Sequence, residues 1–531
     1  MPAAPRPAPP SGRASRRAGP GATGEPRGEG YVVDVDYTHG FYRELAPSLL
    51  SFVTALRRVQ AVDTDRPFTY YELGCGNGHT AALLAAANPH GRFIGVDFNP
   101  AHVAYARKLA QDTGVENATF LERSFGELNE LDTADAEIIG LHGVYSWVSE
   151  ENRRHIVEFI RRRLKTGGIV YVSYNCLPGF AQAAPLQRLF VEHAGVDEGE
   201  LPDRVRRSVQ FATLLAGAGA EYFRSSPQAK KLLDRVAGED LRYVAHEFYG
   251  ANWSPFFHAD VVRELAGAGL AYAGSAALID NFDQLVLKPD LRPFVADAAD
   301  RVFAETVRDY AVNRTFRRDV YTRDAPPAGP AEAAAMLGRT RFALARPRAL
   351  CRLKQRTPAG EVSLEEPSYA PVLDALARAP LTLDELAQAP ECASLDREGL
   401  RQAVLGMAAF GNILPALPAA GEGARRTAAA RFNKGVLSRP VAGPEAVALA
   451  SPVLGSGVAV SVIDSLLLGG LAEGRDPVDH ATQALTAGGL RLLKAGEPVK
   501  SADEARNLIA GKARLFFSHV LPHFRQLGMV D

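Results

Sequence analysis

A short apolar strand that runs straight into glycines at alternate positions leaves a chain few folds to choose from. Tyr70-Tyr71-Glu72-Leu73-Gly74-Cys75-Gly76-Asn77-Gly78 is such a segment, and the pattern predicts a helix over 79–87 directly after it. The glycines remove the Cβ atoms that would hold a ligand off the backbone, and they permit positive φ in a tight turn. A second apolar strand, 92–97, ends on Asp97, about twenty residues beyond the turn. Strand, glycine turn, helix and acid-ended strand make a nucleotide-type βαβ unit, in which the acid accepts ribose hydroxyls.

The choice of nucleotide turns on one carboxylate. A dinucleotide site uses GxGxxG and a helix N-terminus to hold a pyrophosphate. Here the pattern is GxGxG, and Glu72 stands two residues before its first glycine. An anion there repels phosphate and suits a cation. S-adenosylmethionine (SAM) has an adenosine, an α-amino group and a sulfonium, and no phosphate. It is the expected cofactor, with a flavin or NAD site built on an unusual turn as the alternative.

A chain of 531 residues is long enough for several domains, and its formal net charge of −1 provides no global attraction to nucleic acid. Cys75, Cys176, Cys351 and Cys392 are scattered, without zinc spacing, so no metal is expected and the thiols suit a reducing cytoplasm. No apolar run is long enough to span a bilayer. Residues 1–30 are rich in Pro, Ala, Gly and Arg and read as a disordered tail.

The pattern divides the rest of the chain into a SAM-binding domain over 31–290, a helical connector over 291–360, a winged-helix-like module over 361–440 and a C-terminal helical domain over 441–531. The first is an α/β domain. Its expected strands are 68–73, 92–97, 118–122, 137–141 and 169–174, with two closing strands at 269–275 and 282–287. Residues 186–250 form a helical insertion near the carboxyl edge of the sheet, where ligands bind in such folds. The winged-helix-like module lacks a basic recognition helix, which favours a protein-contact or structural role over DNA binding.

With these motifs in place, the chain resembles class I SAM-dependent methyltransferases, which have a Rossmann-like seven-stranded sheet. More narrowly, it is similar to bacterial methyltransferases with a methyltransferase regulatory domain, including lysine methyltransferases of outer-membrane proteins. The resemblance is carried by 37–42, 72–78, 85–100, 141–148 and 171–179. Ala245-His-Glu-Phe-Tyr249, Asn252-Trp-Ser-Pro-Phe256 and Asn313-Arg-Thr-Phe-Arg-Arg-Asp319 extend it. It implies that Gly74, Gly76 and Gly78 contact the methionine part of SAM and that Glu72 faces its amino group. Asp97 would take the ribose, Phe98 and Phe125 would flank the adenine, and Ser124 stands where an acid commonly reads the adenine amino group. Tyr37 and Tyr42 would fold over the cofactor.

A protein or peptide substrate is implied, with no nucleic acid and no membrane span, and a homodimer is allowed. A lysine acceptor, with an ordinary pKa of about 10.4, must lose a proton before it attacks. His142, after the fourth strand, is a base, an orienting group, or a residue that packs against SAM or hydrogen-bonds locally. Tyr145, Tyr174 and Asn175 are the other candidates at this end of the sheet, the tyrosines either lining an aromatic channel or packing in the core. Trp147 reads as packing; His246 and Trp253 as substrate contacts or packing. A metabolite methyltransferase and a SAM-sensing regulatory protein are the alternative functions.

Overall fold

The computed structural model describes residues 40–364, 366–439, 446–487, 492–494, 497–499 and 501–531, so the 1–30 tail and Tyr37 lie outside it. Helix α1 (Pro47–Leu56) leads into β1 (Phe68–Leu73), α2 (His79–Ala87), β2 (Gly91–Asp97), α3 (Pro100–Thr113) and β3 (Ala118–Glu122). Then come β4 (Ala136–Leu141), α4 (Glu150–Arg163) and β5 (Leu164–Asn175). These five strands pair in parallel. Their apolar runs are long because both faces are covered: Tyr70, Phe93 and Ile138 enter one core, and Tyr71, Ile94 and Ile139 the other. Local signals set the helix boundaries. The Asn99 side chain accepts from the Ala101 amide ahead of Pro100, and Gly114 closes α3 in the left-handed region.

Five helices follow β5: α5 (Ala184–Val196), α6 (Leu201–Gly217), α7 (Glu221–Ser225), α8 (Pro227–Val236) and α9 (Leu241–Phe248). They enclose a small core of their own, which includes Phe190, Leu233 and Phe248. Helix α10 (His258–Ala266) returns the chain to the sheet, where β6 (Leu270–Ser275) lies at the edge.

The last strand is not where the pattern put it. Asn281 turns the chain after β6, its Nδ2 donating to the carbonyls of Ser275 and Leu278, and residues 283–286 are helical. After α11 (Arg301–Val312), β7 (Phe316–Arg323) closes the sheet, antiparallel to both β5 and β6. Its sequence, Phe-Arg-Arg-Asp-Val-Tyr-Thr-Arg, hides a strand because its buried charges are satisfied internally. Arg317 donates to Asp319 and Asp309, and to Glu305 at 2.9 Å. The seven strands run in the order β3-β2-β1-β4-β5-β7-β6, so sheet residues extend past 290 into the segment expected to be a connector.

Farther on, strand 341–344 lies between 381–382 and 413–416 in a small sheet, with helices Glu366–Arg378 and Arg397–Ala409 beside it. Its central strand thus comes from before the expected module. A hairpin, 447–451 with 456–460, and further helices complete the chain. This C-terminal region shares one continuous core with the α1–α3 face of the sheet.

Candidate active site

Where β1 meets α2, the three glycines all have positive φ, but for different reasons. A Cβ on Gly74 would lie 2.5 Å from Val144, and one on Gly78 would lie 2.5 Å from Ala106. A Cβ on Gly76 would meet nothing within 4 Å, because this residue faces a cavity. That cavity holds about 920 Å³ including its mouth, within the range of small-molecule sites. Gly74 and Gly76 line it with Glu72, Asp97, Phe98, Phe125 and His142. Gly78 does not; it allows α2 to pack against α3 and β3.

Asp97 organises the loop. Its Oδ2 accepts from the Gly76 amide at 2.8 Å, and its Oδ1 from the Asn99 amide at 2.9 Å, with His102 Nδ1 at 3.3 Å. A carboxylate has about four acceptor positions, so capacity remains on the cavity side for a ribose hydroxyl. Glu72 Oε2 is buried with no hydrogen-bond partner. Burial, with Asp97 close by, pushes its carboxyl up to about 8. An ammonium group would satisfy that orphaned oxygen and restore the charge. The residues present therefore fit SAM: an open backbone at Gly76, an acceptor for an amine and an acid for the ribose.

A second cavity, about 1550 Å³ including its open mouth, adjoins the first. Tyr42, His142, Gly143 and Trp147 belong to the walls of both. The far wall comes from α8, α9 and β7, and includes Arg235, Tyr243, Glu247 and Phe316. Asn175, at the end of β5, donates from Nδ2 to Glu247 Oε1 at 3.4 Å. Burial pushes the Glu247 carboxyl up to about 7, opposed by the Asn175 hydrogen bond and by Arg235. Tyr42 and His142 are stacked, with ring centres 3.7 Å apart. His142 Nδ1 lies 2.8 Å from the Tyr171 hydroxyl, and burial beside Arg318 pushes the imidazole down to about 3. The His142 ring thus stands in the walls of both cavities.

Several expected site residues lie elsewhere. The Ser124 amide and hydroxyl both donate to Glu127, at 2.8 and 2.9 Å, and its neighbours Arg123 and Phe125 line the cavity instead. Tyr145 is buried and donates to Glu264. The Tyr174 hydroxyl donates to Asp319 at 2.6 Å inside the charged cluster of β7. Both tyrosines are core residues. His246 and Trp253 are on neither wall. Trp147, expected to be packing, stands at the junction, its indole donating to the Glu247 carbonyl at 3.2 Å. Sequence reasoning missed His102, in the first turn of α3, and Glu247, an acid flanked by the buried residues His246 and Phe248. A carboxylate on the buried stripe of an amphipathic helix was the signal for Glu247.

Known proteins agree with this architecture. Residues 66–213 match a family model described as a methyltransferase domain. Residues 240–323 match one described as a predicted methyltransferase regulatory domain. A Synechocystis protein, sll1526, is 35% identical over 501 residues, which cover 94% of this chain and 99% of the relative. The chain belongs to the methyltransferases that carry a methyltransferase regulatory domain. PKMT2 from Rickettsia typhi in complex with AdoHcy has the same fold, with a TM-score of 0.68 at 18% identity over 93% of this chain and 99% of that one. A second Rickettsia protein, RP789 of Rickettsia prowazekii, is 25% identical over 54% of this chain and 51% of its own length. The cofactor of this methyltransferase is SAM, and no described helix is long and apolar enough to cross a membrane.

Proposed function

We propose that this methyltransferase transfers the methyl group of SAM to lysine side chains of a protein substrate. The observation that carries the reading is the junction of the two cavities at Tyr42, His142, Gly143 and Trp147. A junction walled by aromatic rings between a cofactor site and an open cavity suits a long cationic side chain. The fold-wide likeness to PKMT2 supports the same reading.

When bound, the cofactor supplies a methyl group on a good leaving group. The work of the chain is then to align the acceptor nitrogen, exclude water and remove a proton. Tyr42 and His142, stacked on each other, wall the junction of the two cavities. Trp147 ties the cofactor wall to α9 through its indole hydrogen bond.

The test is transfer from labelled SAM to a lysate of the source organism, separated into protein and small-molecule fractions. Label on protein, mapped to lysine by mass spectrometry, is the expected result. Label confined to small molecules would overturn the proposal in favour of a metabolite acceptor.

A further inference from the structure

We infer that Glu247 takes the proton from the acceptor nitrogen, held in place by Asn175. This deepens the proposed function, since it rests on reading the second cavity as the acceptor site. Three observations converge on the residue. It lines that cavity, which joins the cofactor site at His142 and Trp147. Its Oε1 is engaged by Asn175 Nδ2 at 3.4 Å, while its backbone carbonyl receives the Trp147 indole. Among the described residues it is the one carboxylate on the cavity wall.

The charged and titratable surroundings favour the same assignment. Lys231 and Arg235 face the cavity from α8, Arg318 from β7, Tyr243 from α9, His142 from the loop after β4 and Tyr42 from the segment before α1. His142 is pushed down to about 3 and Tyr243 up to about 12, each chiefly by burial, so neither exchanges a proton near neutrality. Glu247, pushed up to about 7, does. Lys231 and Arg235 also act on the acceptor, whereas Arg318 is paired with Glu44 at 3.2 Å. Like charges and desolvation lower the pKa of a bound ammonium, which brings it toward that of the carboxylate.

The step balances simply. One N–H bond of the ammonium breaks, an O–H bond forms on Glu247, and the electron pair stays on nitrogen, free to attack the methyl group. The proton then leaves Glu247 through the open mouth of the cavity.

The test compares the full-length wild type with Glu247→Gln and Glu247→Asp, using labelled SAM and the same lysate between pH 6 and 9. SAM affinity, by calorimetry, should be the same in all three. In the wild type the transfer rate should rise with pH through an inflection near 7. Glu247→Gln should lose roughly 100-fold or more in rate, together with that inflection. Glu247→Asp should recover part of the rate and keep the inflection.

A second readout needs no acceptor. A carboxyl raised in the folded state holds a proton that the unfolded chain has lost, so stability against urea should fall between pH 4.5, the ordinary value, and about 7. Glu247→Gln should make that slope shallower, leaving the share that Glu72 contributes. A Glu247→Gln enzyme that kept its rate within about threefold and the same inflection would overturn the inference and leave lysine methylation standing. Wild-type label mapped to an acceptor other than lysine, with the losses in Glu247→Gln intact, would sink the lysine reading and leave the base in place.

Discussion

At Glu72 a single side chain carries two demands that conflict until the cofactor arrives. In our proposal its carboxylate faces the ammonium of SAM, yet burial near Asp97 raises it to about 8. The proton it holds near pH 7 has to leave when a cation binds. SAM binding near pH 7 should therefore release about one proton at this group, and apparent affinity should rise with pH toward 8. Calorimetry in two buffers of different ionisation enthalpy measures that proton directly. Glu72→Gln should abolish the release and weaken binding by roughly ten- to a hundredfold, as expected for loss of a charge-assisted hydrogen bond. Release that survives in Glu72→Gln would place the titrating group elsewhere. In the unbound protein the same group lowers stability as pH rises from 4.5 to about 8, because the folded chain keeps a proton that the unfolded chain gives up.

At the scale of elements, what could be read from the sequence was what local chemistry dictates. The glycine turn, the Asn99-Pro100 helix start and the first five strands follow from short-range rules, and the structure has them all. Strand β7 was missed because Arg317 and Asp319 occupy buried positions, and only distant partners, Asp309 and Glu305 on α11, make that tolerable. Tyr174 was offered as a site residue for the same reason, since its hydrogen bond to Asp319 joins β5 to β7 and no local pattern announces it. Contacts between elements distant in sequence also decide how the C-terminal region attaches. Gly435, on helix Glu422–Leu437, faces α3 so closely that a Cβ there would lie 2.9 Å from the Thr113 Cα. Backbone cannot yield as a side chain can. Gly435→Val should cost about 1–3 kcal/mol by overpacking, seen as a lower urea midpoint with an unchanged slope. An unaltered midpoint would mean that the two helices do not pack at this point in solution.

Across the whole molecule, α2 is the element on which the cofactor site and the C-terminal region both depend. Every residue of Thr80–Ala87 is buried, so the helix is apolar all round, and one of its faces is covered from outside the sheet. Leu83 meets the hairpin where a Cβ on Gly457 would come within 2.9 Å, and Asn88 Nδ2 donates to the Gly455 carbonyl at 2.9 Å. Ser48, on α1, donates to the Leu454 carbonyl at 2.8 Å. The first residues of this same helix, His79 and Thr80, line the cofactor cavity. A chain ending at Arg323 would keep all seven strands and expose the outer face of α2. Such a truncation should aggregate or bind a hydrophobic dye, and it should lose cooperative unfolding and measurable SAM affinity. In the full chain, SAM should raise the melting temperature of one single transition, because whatever holds the loop also holds the C-terminal core. A monodisperse truncated protein with wild-type affinity would show instead that the sheet completes the cofactor site without that cover.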